Sequence, residues 1–76
     1  MKELNIKDLL QCIHQRDFEG MLDYIPEGIE HRGSIYKEPE DFELLGSYEE
    51  DARYGYPARL KMIDACLELC IKELEK

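Results

Sequence analysis

Apolar residues recur at helical spacing over most of the chain. Ile6, Leu9, Leu10 and Ile13 repeat at steps of three and four, which places them on one stripe of a helix. Asn5 is a favourable N-cap for that helix, and Asp8 falls in its first turn, where a carboxylate meets the positive end of the helix dipole. Continuing the same register would bring Asp17 and Gly20 into the core. The apolar set instead resumes one position late, as Phe18, Met21, Leu22 and Ile25. This slip predicts a break or kink near Arg16 and Asp17, with Asp17 capping a second segment that Pro26-Glu27-Gly28 ends.

Residues 27–37 are the least helical stretch. Two glycines and a weak alternation around Ile35 and Tyr36 predict an extended connection, in which a single strand would have no partner. Pro39 then fits the first position of a short helix over 40–45, closed by Gly46. Ser47-Tyr48-Glu49-Glu50 is a capping-box pattern that opens another short helix toward Tyr54, closed by Gly55. Pro57 fits the start of a final helix running to about residue 75.

That final helix has the strongest pattern. At about 100° per residue, Lys61, Asp64, Glu68, Lys72 and Glu75 share a polar stripe about 80° wide. Nearly all the remaining arc is apolar, interrupted by Arg59 and Glu73. One small core needs an apolar face of about 100°, so this helix offers roughly twice the requirement. Two arrangements satisfy it: a central helix wrapped by the others, or a helix that shares part of its face with a second chain. Leu60, Ile63, Leu67, Cys70 and Leu74 keep a 3-4-3-4 spacing and form the candidate face for a homodimer.

Composition sharpens the fold class. The chain has 76 residues, 43% of them hydrophobic and 37% charged, enough apolar content for one small folded domain spanning 1–76. It contains ten Leu and twelve Glu but no Val, Thr or Trp. That usage favours helices and disfavours pleated half-buried strands. The expectation is an all-α domain, a small bundle of four or five helices with a long, mostly buried C-terminal one.

Charge excludes one class of partner. Ten Lys and Arg stand against eighteen Asp and Glu, a net charge of −8. No basic surface is available to displace counterions from nucleic-acid phosphates. No apolar run approaches the ~20 residues of a membrane span, and no signal-peptide h-region is visible, so a cytoplasmic location is expected.

The chemistry-bearing residues are sparse. Two Ser and two His leave few possible members for a nucleophilic site. The Glu30-His31-Arg32-Gly33-Ser34 run is the best place for acid–base chemistry, although sequence neighbours do not converge on one atom without a supporting shell. Cys12, Cys66 and Cys70 lack metal-ligand spacing and read as reduced thiols used as small hydrophobes. The five glycines are scattered singly and form no phosphate loop. No catalytic residue, metal or cofactor is assigned.

The middle of the chain is the most distinctive surface. Glu38, Glu40, Asp41, Glu43, Glu49, Glu50 and Asp51 are seven acids with no Lys or Arg among them, interleaved with Tyr36, Tyr48, Tyr54 and Tyr56. Acids guide encounter with a basic surface, and tyrosine supplies a large ring with a hydrogen-bonding tip to anchor it. Size, acidity and helical pattern together resemble bacteriocin immunity proteins and phage-encoded inhibitors as a class. No motif matches any one of them, and no family is assigned; the acidic, tyrosine-rich segment itself leads to the expectation of a non-enzymatic protein-binding module, of inhibitor or immunity type, docking on a basic surface through residues 36–56. The alternative is a homodimeric structural or regulatory subunit assembling through the last helix.

Overall fold

A computed structural model describes residues 3–43, 48–54 and 57–76. The first helix, α1 (Ile6–Gln15), starts where expected: the Asn5 side chain accepts a hydrogen bond from the Asp8 amide at 3.2 Å. It stops at Arg16, which adopts a left-handed conformation with φ of 57°. The Asp17 amide then reaches back to the Cys12 carbonyl at 2.9 Å, closing the helix end as a Schellman-type turn. Asp17 also caps α2 (Phe18–Leu22), accepting from the Gly20 amide at 3.0 Å. The phase slip in the apolar pattern is therefore a true break between two helices. Gly20 is needed at that corner, since a Cβ there would lie 2.8 Å from the Cys12 sulfur and 2.6 Å from an Asp17 carboxylate oxygen.

The expectation of an all-α fold is overturned by residues 29–36. They form an antiparallel hairpin of β1 (Ile29–His31) and β2 (Ser34–Tyr36), with Ile29 opposite Tyr36 and His31 opposite Ser34. The strand expected around Ile35 and Tyr36 to have no partner pairs with residues 29–31, just before it in the chain. Arg32 and Gly33 both take positive φ, 51° and 82°, the requirement of a two-residue type I′ turn. The chain is thus mostly helical, with a small two-stranded sheet packed against the last helix.

Two short helices follow, α3 (Glu40–Glu43) and α4 (Tyr48–Tyr54), and then α5 (Pro57–Leu74). The expected helix stops at Gly46 and Gly55, and the Ser47 cap, lie outside the described residues. Asp41 accepts from the Lys37 and Glu38 amides, each at 3.0 Å, and so fixes the entry to α3.

α5 is the central helix. α1, α4 and β1 all pack on it. Leu9, Ile13, Phe18, Met21, Leu22, Tyr24, Phe42, Met62, Ile63, Cys66 and Cys70 close one core around its inner face. Tyr24, in the turn after α2, is a core member that the periodic pattern does not mark. No helix of the described residues is long and apolar enough to cross a membrane.

Candidate functional site

The acidic, tyrosine-bearing segment is held to the body by a column of contacts running through the core. Phe42 of α3 is fully buried, stacks on Phe18 of α2 at 5.7 Å and meets the Tyr36 ring of β2 at 6.1 Å. The Arg59 guanidinium of α5 lies over the opposite partner, 4.2 Å from the Phe18 ring centre. Arg59 in turn faces Asp51 of α4. Its Nε is 3.0 Å from Asp51 Oδ2, and Nη1 donates to Oδ1 at 3.4 Å. Nε and Oδ2 are both buried and share no aligned hydrogen bond, so their close approach is ionic.

Asp51 therefore leaves the candidate docking surface. It was grouped with the solvated acids, yet it is fully buried, matched by a guanidinium from the neighbouring helix. Burial pushes its carboxyl above the ordinary range, against the opposing pull of Arg59 and with help from Glu50. Asp41 is half-buried and occupied as a turn cap. Tyr36 is partly buried on Phe42.

What stays on the surface is narrower than the seven acids and four tyrosines. Glu38 and Glu40 are exposed before and within α3, and Glu49 and Glu50 are exposed on α4. Tyr54, at the end of α4, is 67% exposed. Arg53 is the one cation on that helix. Glu43 and Tyr48 stand at the adjoining ends of α3 and α4, and their side chains, like all of Tyr56, lie outside the described residues.

The proposed dimer face is also redrawn. Ile63 and Cys70 are buried in the chain's own core, and Leu60 is half-buried. Leu67 and Leu74 are exposed, joined by Ile71, which the 3-4-3-4 spacing passes over.

The remaining candidate chemistry stays dispersed. His31 is paired across the hairpin with Ser34. Desolvation, Lys61 and Arg32 hold its imidazole below the ordinary value. Among the described residues no group of three His, Cys, Asp or Glu side chains is placed to hold a metal ion. Cys12, Cys66 and Cys70 are reduced, none of them joined in a disulfide. Burial pushes the Cys66 thiol up to about 12, reinforced by the neighbouring Cys70 and Cys12. Burial raises Cys70 as well.

Because the thiolate is the reactive species, this arrangement gives a direct test. In native protein at mildly alkaline pH, a thiol-titrating disulfide reagent should label half-exposed Cys12 first. Cys66 and Cys70 should react only once the chain is unfolded in guanidinium. Equal rates at all three positions in the native state would contradict the packing of α1 on α5.

Compared with protein-family models, with curated proteins and with solved structures, the chain matches none.

Proposed function

We propose that this chain is a non-enzymatic protein-binding module, of inhibitor or immunity type, that docks on a basic surface of a larger protein. The docking surface comprises the exposed side chains of Glu38, Glu40, Glu49, Glu50 and Tyr54. The observation that carries the reading is Tyr54, a large ring left 67% exposed on α4, whose outer positions include the exposed Glu49 and Glu50. Aromatic side chains are the usual anchors of an interface, and a surrounding field of one sign speeds encounter with the opposite sign. Glu38 and Glu40 extend the same sign of charge to α3. The buried Asp51–Arg59 pair and the Phe42 stack hold this surface in place from beneath, so it is presented on a rigid base.

The test reverses only exposed charges. Wild type and a Glu38→Lys, Glu40→Lys, Glu49→Lys, Glu50→Lys variant are used to capture proteins from cell lysate at low and at high salt, with mass spectrometry of what is retained. Wild type should retain a basic partner at low salt and lose it at high salt, and the variant should retain none of it at either. A captured set that ignores both the reversal and the salt would remove the electrostatic reading. Tyr54→Ala should weaken capture by about tenfold or more if the ring is an anchor.

A further inference from the structure

The exposed stripe on the second half of α5 lies apart from the 36–54 surface and calls for a different occupant. Leu67, Ile71 and Leu74 are 37%, 54% and 70% exposed. Spaced at i, i+4 and i+7, they form one ridge along the helix, beside the face that Cys66 and Cys70 bury in the core. Three of the six large apolar side chains exposed among the described residues are gathered here. Isolated exposed apolar residues are ordinary; a ridge of three on consecutive turns is an interface feature.

Charge identifies what covers it. Residues 57–76 carry four cations, Arg59, Lys61, Lys72 and Lys76, and four acids, Asp64, Glu68, Glu73 and Glu75. The segment is neutral, so the whole net charge of −8 resides in residues 1–56. Two copies of this chain meeting elsewhere would bring acid against acid. Meeting along α5 they would not. The exposed charges flanking the ridge are moreover complementary to themselves. In an antiparallel pair centred on Glu68, Lys61 falls opposite Glu75 of the second copy at the edge of the contact, twice by symmetry. Glu68 meets its own copy at the axis, with Lys72 one turn away on each helix. A parallel pair would place every charge opposite its like.

We infer that a second copy of this chain covers the ridge, forming an antiparallel α5–α5 homodimer with Leu67 and Ile71 nearest its axis and Leu74 toward each end. α5 is about 27 Å long at 1.5 Å per residue, so one helix-on-helix contact lies at the small end of specific interfaces and the dimer is weak and reversible.

Sedimentation velocity over a concentration series from about 5 μM to about 0.5 mM tests this, bracketing the affinity a small interface supports. Wild type should move from monomer toward dimer across the series. Ile71→Glu should remain monomeric throughout while keeping the wild-type helical circular dichroism, because Ile71 lies outside the core. Lys61→Glu should weaken dimerisation about threefold, and Lys61→Glu with Glu75→Lys should restore it, which fixes the antiparallel register. A wild type that is strictly monomeric at the highest concentration overturns the inference. So does a dimer that Ile71→Glu leaves intact. Loss of the dimer leaves lysate capture by the acidic surface testable separately, and the reverse also holds.

Discussion

Arg59→Ala should lower the free energy of unfolding by about 3–5 kcal/mol, because it strands the Asp51 carboxylate in the interior without its counter-charge. A chain of this length has about 4–11 kcal/mol in total at ordinary stability per residue. The variant should therefore lose at least about a quarter of its stability, and its urea midpoint followed at 222 nm should fall accordingly. Asp51→Ala should cost about as much by leaving the guanidinium unpaired, though Arg59 keeps its contact with Phe18. The paired replacement Asp51→Leu with Arg59→Met behaves differently. It removes both desolvated charges at once and should come within about 1–2 kcal/mol of wild type. A single substitution as mild as the double one would show that the pair is not buried as described.

Acidity supplies a further check on the same pair. Burial raises the Asp51 carboxyl above its unfolded value near 3.8, so folding takes up a proton in the interval between the two. The stability linked to this group is fully present below the unfolded value and is lost as pH rises through the folded one. Wild type should therefore gain on the Leu–Met double variant as pH falls from 7 toward 4. Glu50 acts in the same direction and Arg59 opposes it.

These residues also show where sequence reasoning stopped. Helix starts were legible because capping chemistry is local: Asn5 and Asp17 each serve an amide three residues on. The break at Arg16 was legible only through the slip in phase, since the left-handed position carries arginine where glycine is usual. The hairpin was missed for a related reason. Its turn has glycine at the second position alone, with Arg32 in the place that Asn, Asp or Gly normally marks, and each strand is three residues long.

Asp51 could not be separated from Glu49 and Glu50 by composition, because its burial depends on a cation eight positions away on another helix. The usable signal was on α5, where Arg59 interrupts an apolar arc. A cation placed there has either to reach solvent or to find an acid. The excess breadth of that arc was readable, and the structure uses only part of it for the core. Met62, Cys66 and Cys70 face the chain's own core, whereas Leu67, Ile71 and Leu74 are left outside it.

Phe42→Ala should be the most damaging change on the hairpin side of the molecule. The ring is fully buried, and truncating a core phenylalanine costs about 3–5 kcal/mol through lost transfer energy and the cavity that remains. Its neighbours make collapse of that cavity difficult. Phe18 also carries the Arg59 guanidinium over its ring, and Tyr36 belongs to a strand held in register by β1. Phe42 is also the buried residue of α3, a helix of only four residues that cannot persist by its own backbone hydrogen bonds. The loss should therefore be felt first locally. Amide exchange in β2 and α3 should accelerate more than exchange in α1 and α5, alongside the lower urea midpoint. Phe42→Leu keeps most of the volume and should recover more than half of the stability, though not the ring contacts with Phe18 and Tyr36. Uniform acceleration across all helices would mean that hairpin and helices unfold as one unit, and that Phe42 supports the whole core and not chiefly the platform beneath the acidic surface.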